Sequence, residues 1–132
     1  MQVVLGIGCD RNTPLETLEQ VVNSSLEELK LDHTAVKALA TIDKKNDEVA
    51  LLALAKKYQW PLVFFTAKEL AKVTVPNPSE VVMKYMGTPA VAEAAAILAA
   101  KTDMNNLMIE KNKYRGHDGK NATVSVVRIN NE

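Results

Sequence analysis

The run Val3-Val4-Leu5 continues to Ile7, interrupted by Gly6 and followed by Gly8. A short β-branched run bounded by glycine predicts a buried first strand. The spacing then changes. Leu15, Leu18, Val22, Leu26 and Leu29 recur at helical intervals, which predicts an amphipathic helix to about Leu29. Thr13-Pro14-Leu15-Glu16 marks its start, with Thr13 as cap, Pro14 in the first helical position and Glu16 closing a capping box. Asp32 is expected to cap a second short helix over about His33 to Ala38.

Leu39 to Ile42 reads as a second strand, followed by the charged turn Asp43-Lys44-Lys45-Asn46-Asp47-Glu48. Val49 to about Tyr58 is a strongly apolar helix. Val49, Leu51, Leu52 and Leu54 lie most of the way round it, so it is expected to be well buried. Pro61 opens a third strand, Leu62 to Phe65, and Thr66-Ala67-Lys68-Glu69 is a further capping box before a short helix. Val75-Pro76-Asn77-Pro78-Ser79 breaks the chain, because two prolines do not fit one regular element. A helix is expected from about Ser79 to Met86, ending at Gly87. Thr88-Pro89 then starts an Ala-rich helix through Ala100, whose small side chains imply close packing against a sheet or another helix. Leu107 to Lys111 and Ala122 to Ile129 read as strands, joined by the polar loop Tyr114 to Asn121 as an antiparallel hairpin.

Strands alternating with helices predict right-handed crossovers and a parallel sheet with both faces covered. The expectation is an α/β fold: a three-layer α/β/α single domain over residues 1–132, with a mixed, mostly parallel sheet and a C-terminal β-hairpin. A chain of 132 residues can bury one core unaided. Its 16 basic and 16 acidic side chains balance, which argues against nucleic acid as a partner, since phosphates require an excess of Lys and Arg. Cys9 is the one cysteine, so no intramolecular disulfide is possible and a reducing, cytoplasmic location fits. The N-terminus lacks the basic region of a signal peptide, and no apolar stretch is long enough to span a bilayer. The edge strands and the Ala-rich helix permit a homo-oligomer.

Candidate chemistry gathers at strand ends. Gly6-Ile7-Gly8 hints at a dinucleotide fingerprint, but the third glycine would fall at Arg11, and the gap to the helix is too long. Those glycines suit instead a tight loop approached by a ligand or another backbone. The loop Gly8-Cys9-Asp10-Arg11-Asn12-Thr13 ends the first strand, where α/β sheets bind ligands, and leads to a helix N-terminus that favours anions. The same residues also suit a capped loop with a surface salt bridge. Asp43, Lys45, Asp47 and Glu48 end the second strand and could serve acid–base work or substrate anchoring, although a charge run more often forms a solvated face. Gly87 and Thr88 begin another anion-receptive helix, or merely punctuate two helices. Lys111, Lys113, Tyr114 and Arg115 either guard an edge strand or line a polyanion pocket. An unactivated Cys9 is a poor nucleophile. His33 and His117 have no metal-ligand spacing, so no metal site is expected. Trp60, Phe64 and Phe65 read as core.

Taken in order, Gly6-Ile7-Gly8-Cys9 with Thr13-Pro14, Ala40-Thr41-Ile42-Asp43 with Lys45 and Asp47-Glu48, Pro76-Asn77-Pro78-Ser79-Glu80, and Gly87-Thr88-Pro89 with Val91-Ala92-Glu93-Ala94-Ala95-Ala96 resemble the CobE / CbiG C-terminal domain family. Lys111, Lys113-Tyr114 and Ala122 to Val126 resemble that family's ending, so the likeness runs from about Val3 to Ile129. The resemblance implies a cytosolic α/β domain of corrin-ring synthesis. CbiG is a cobalt-precorrin-5A hydrolase that opens a δ-lactone and releases acetaldehyde. CobE is a stand-alone version that resembles a carrier of pathway intermediates. With its own Met1 and without the upstream CbiG region, this chain is similar in architecture to CobE or to one piece of a split CbiG.

The ligand so implied is a corrinoid or precorrin fringed with carboxylates, with the CbiG N-terminal region or other pathway enzymes as partners. No cofactor is implied; any cobalt belongs to the substrate. The binding candidates are Gly8, Cys9, Asp10, Arg11, Thr13, Lys45, Asn77, Ser79, Gly87, Thr88, Lys111 and Lys113. No histidine falls in a family motif, so a general base would be Asp43, Asp47, Glu48 or Glu93, with Asp43 first for its strand-end position.

Overall fold

A computed structural model describes residues 1–80, 83 and 90–129. Five strands form one sheet: β1 (Val3–Cys9), β2 (Val36–Ile42), β3 (Leu62–Phe65), β4 (Leu107–Arg115) and β5 (Asn121–Arg128). Their order is β3-β2-β1-β5-β4. β1–β2 and β2–β3 are parallel, while β1–β5 and β5–β4 are antiparallel. Four strands therefore run one way and β5 alone runs against them. The sheet is mixed and closes in the expected hairpin.

Helices α1 (Leu15–Glu28) and α2 (Val49–Tyr58) cover one face; α3 (Ala67–Ala71) and α4 (Ala92–Ala100) cover the other. The alternation of β1 feeds both layers. Val3, Leu5 and Ile7 join the α1/α2 core, and Val4 joins the α4 core. Gly6 lies on the α4 side, and its lack of a side chain is a steric requirement there. A Cβ at Gly6 would stand 1.8 Å from the Ala92 carbonyl oxygen. The backbone of α4 lies directly on the strand, which is why Ala92, Ala94, Ala95 and Ala96 are buried.

Several local expectations need correction. Thr13 does not cap α1: its Oγ1 donates to the Asp10 carbonyl at 2.6 Å and closes the preceding loop. Pro14 takes the cap position itself, with extended backbone, and no side chain caps that end. Asp32 does accept from the Thr34 N–H, but only a 3-10 turn follows, His33–Ala35. Val36 is already pairing with Val3, so the strand cuts the helix short. The Thr66–Glu69 capping box is present in both directions. α2 is not buried all round. Val49 is 78% and Leu52 is 43% exposed, because the helix meets the sheet only through Ala50, Leu51, Leu54 and Ala55. β4 runs four residues further than expected, to Arg115, leaving a tight turn over 116–120 closed by Gly116 N–H to the Lys120 carbonyl. The helix expected over about Ser79 to Met86 falls mostly outside the described residues, as does the start of the next at Gly87-Thr88-Pro89.

The register of β4 decides which way its lysines point. Ile109 opposes Val126 and Asn112 opposes Val124, so three residues of β4 span two of β5. Such a bulge inverts the alternation beyond it. Ile109 belongs to the α1/α2 core, and Asn112 also faces α1, donating to Ser24 and Ser25 at 3.0 and 2.9 Å. Lys111 and Lys113 are thereby turned to the α4 face.

Candidate functional site

A cavity of about 310 Å³ opens at the carboxyl ends of β1 and β4, beside the start of β5 and the first turn of α4. β1 is the strand at which the order turns from β2 on one side to β5 on the other, the position at which open α/β sheets receive ligands. The walls come from separate elements. β1 and its end supply Gly8, Cys9 and Asp10; the turn after β2 supplies Lys45. Ala90, Val91, Ala92 and Glu93 form one side with Ser79, and Lys111, Lys113, Asn121 and Thr123 form the other.

Charge is unevenly placed around it. Glu93 is 2% exposed and faces Lys111, Oε2 to Nζ at 3.3 Å. That contact is an ion pair without hydrogen-bond geometry, and Glu93 Oε2 has no other donor among the described residues. Burial pushes the Glu93 carboxyl above its ordinary range, against the opposing pull of its own backbone N–H and of Lys111. Asp10 is well supplied with donors: its Oδ2 accepts from the Asn121 backbone N–H at 2.8 Å and side-chain amide at 3.0 Å. Lys45 is 9% exposed and lines the cavity with no ion pair among the described residues. Lys113 is exposed at the rim.

The cobalamin synthesis G C-terminus family model matches residues 3–127. The chain belongs to that family. It is 37% identical over 127 residues to a cobalt-precorrin-5A hydrolase of Priestia megaterium, covering 96% of this chain and 32% of that one. It is 34% identical to Protein CobE of a Sinorhizobium species, covering 74% of this chain and 65% of that one. The chain thus spans about a third of the hydrolase and just under two thirds of CobE. A crystal structure of CobE, a protein from the cobalamin (vitamin B12) biosynthetic pathway, superposes with a TM-score of 0.78 at 28% identity, covering 96% of this chain and 93% of that one. The fold is shared as well with a cobalamin biosynthesis protein of Agrobacterium tumefaciens, TM-score 0.66 at 23% identity.

Among the residues singled out in sequence, the cavity brings together Gly8, Cys9, Asp10, Lys45, Ser79, Glu93, Lys111 and Lys113. The others lie elsewhere. Arg11 donates to Asp47 at 2.6 Å and to Glu48 at 2.9 Å, and Glu48 Oε2 accepts from the Asn12 N–H at 2.8 Å. This latch ties the loop after β1 to the cap of α2. Both oxygens of buried Glu48 are engaged in it. The hydrogen bond from Arg11 holds the exposed Asp47 carboxyl below its usual range. Asp43 is exposed at the end of β2 and does not line the cavity. Thr13 is buried in its loop, and Asn77 donates to Glu110 at 2.7 Å outside the cavity. Gly87 and Thr88 lie outside the described residues.

Asn121 and Thr123 also line the cavity; neither was a site candidate, although Thr123 falls within the Ala122 to Val126 stretch of the family likeness. Their signal is the cross-strand register, in which Gly8 opposes Thr123, and Asp10 bonds Asn121. Among the described residues a Cβ at Gly8 would meet only Thr123 Cβ, at 4.0 Å, so its missing side chain leaves space rather than relieving a clash.

Burial pushes the Cys9 thiol up, more than Lys45 and the Thr13 hydroxyl pull it down. Cys9 is therefore expected to alkylate slowly at neutral pH. Its rate with iodoacetamide should still be rising at a pH where free cysteine has levelled off. A rate matching free cysteine across the range would contradict this.

Proposed function

We propose that the chain binds a carboxylate-fringed corrin-pathway tetrapyrrole at this cavity, as its contribution to hydrolysis of cobalt-precorrin-5A. The observation that carries the reading is the convergence, among the described residues, of Lys45, Lys111 and Lys113 on one cavity whose described acids are Asp10 and Glu93. Three lysines exceed two carboxylates, and Lys111 alone is already paired. The remaining positive charge suits an anionic arm. The volume is at the low end of the roughly 300–1,000 Å³ of small-ligand sites. One peripheral arm of a macrocycle enters, and the ring lies across the mouth. Glu93 is the carboxyl placed to meet that arm, in preference to the exposed Asp43 and the latched Asp47 and Glu48.

The name borne by the Priestia relative supports the choice of substrate. Since the chain spans about a third of that relative, lactone opening with acetaldehyde release is assigned to its action with the CbiG N-terminal region or another pathway enzyme. No resident cofactor enters this reading; any cobalt belongs to the substrate. A cytoplasmic setting goes with it, and among the described residues no helix is long and apolar enough to cross a membrane. A second reading, a stand-alone carrier of a pathway intermediate, is favoured by the near end-to-end superposition on CobE.

An absorbance titration with cobalt-precorrin-5A, with acetaldehyde assayed in the same tube, tests both. Binding is expected, and Lys45→Met should weaken it about tenfold, the loss of roughly 1.4 kcal/mol from one charged contact. Acetaldehyde release by the chain alone would make it a self-sufficient hydrolase; binding without release would leave it a carrier or one half of an enzyme. An unchanged spectrum, or full affinity in Lys45→Met, would overturn the placement of the ligand.

A further inference from the structure

Glu93 occupies the first turn of α4; among the described residues its buried Oε2 has no hydrogen-bond partner, and the Lys111 ammonium stands poorly aligned at 3.3 Å. A carboxylate oxygen in that state has lost its water and gained little in return. Among the described residues, the charged and titratable groups around it come from three elements. β4 presents Lys111, the negative Glu110 and, across the cavity, Lys113. The end of β1 presents Asp10 and Cys9, and the turn after β2 presents Lys45. β5 faces it with the neutral Asn121 and Thr123.

The lysines draw an anionic oxygen into this space, whose wall already holds a carboxylate. Two carboxylates brought into contact, one of them the buried Glu93, do not both stay ionised; they share a proton. Asp10 already accepts two hydrogen bonds, and the arriving arm has lysines to meet it. Glu93 has the oxygen without a well-aligned donor. We propose that Glu93 takes up a proton when an anionic arm binds and donates it as a hydrogen bond to that arm. The subsite is then a neutral glutamic acid beside Lys111, with Lys45 elsewhere on the same cavity wall, selective for a carboxylate or a similar oxyanion. This rests on the ligand reading above and deepens it by giving Glu93 the role of a donor. The burial that already raises its proton affinity acts in the same direction.

Calorimetric titration with cobalt-precorrin-5A at neutral pH, in two buffers of different ionisation enthalpy, reads the proton directly. Uptake of roughly one proton per ligand is expected, and Glu93→Gln should bind with that uptake abolished. Heats independent of buffer, with binding intact, would overturn the inference and leave the ligand reading standing. Unchanged uptake in Glu93→Gln would place the proton elsewhere and also overturn it. No binding by the unmodified chain would overturn the ligand reading itself. Should Glu93→Gln fail to fold, affinity of the unmodified chain across pH decides. It should fall up to about tenfold per pH unit on the alkaline side, and a constant affinity would overturn the proposal.

Discussion

Gly6→Ala is expected to cost about 3 kcal/mol or more, the upper end of what overpacking does, and Gly6→Val to leave no folded protein. The added Cβ would lie 1.8 Å from the Ala92 carbonyl oxygen and 2.7 Å from its carbonyl carbon. Both are backbone atoms, so no side-chain rotation relieves the clash. The first turn of α4 would have to lift from β1, separating Ala92, Ala95 and Ala96 from the sheet they pack on. Glu93 and one wall of the cavity would move with it. Gly8→Ala is the control two residues along the same face. Among the described residues its Cβ would meet only Thr123, at 4.0 Å, so stability should stay within about 0.5 kcal/mol while the cavity narrows and ligand affinity falls. Urea midpoints of the two variants check this. Equal midpoints would mean that α4 does not sit where described.

Lys111→Met should make stability strongly dependent on pH. Lys111 is a quarter exposed but Glu93 is buried, so removing Lys111 leaves a buried charge unpaired, at a cost toward the low end of the roughly 3–5 kcal/mol of a broken buried pair, unless Glu93 neutralises itself. Glu93 can do so by binding a proton. Its carboxyl is already raised in the folded state by burial, and loss of Lys111 raises it further. The sign follows from proton counts: the folded state holds the proton more tightly than the unfolded one. The contribution is therefore complete below the ordinary glutamate value of about 4.3 and is lost as pH rises through the raised folded value. The variant should lie close to the parent near pH 5 and well below it near pH 8, by denaturant midpoints at the two pH values. A constant gap between variant and parent would show that Lys111 does not compensate Glu93.

Some of what could be read locally was read correctly. β3 and α2 fall where their apolar runs end, and the Thr66–Glu69 box forms because both of its partners lie within one helical turn. The Thr13 box did not form, although its pattern is equally good. Its hydroxyl had a nearer partner in the Asp10 carbonyl, in a loop whose shape is set by the latch of Arg11 and Asn12 on Glu48. The apolar surface of α2 likewise overstated its burial, because a pattern records which residues could be covered and not what arrives to cover them.

The sequence by itself determined most of the described elements, the α/β class, the family likeness and most of the polar side chains of the cavity, since periodicity, capping and turn chemistry act over a few neighbouring residues. Tertiary structure alone decided how those side chains meet. The β4 bulge turned Lys111 and Lys113 to the side of α4, and close approach of α4 to Gly6 carried Glu93 into the same cavity. Register against β5 brought in Asn121 and Thr123. The latch drew Asp47 and Glu48 off to one side. Each of these depends on pairing between residues far apart in the chain, where a shift of one position reverses which face a side chain occupies.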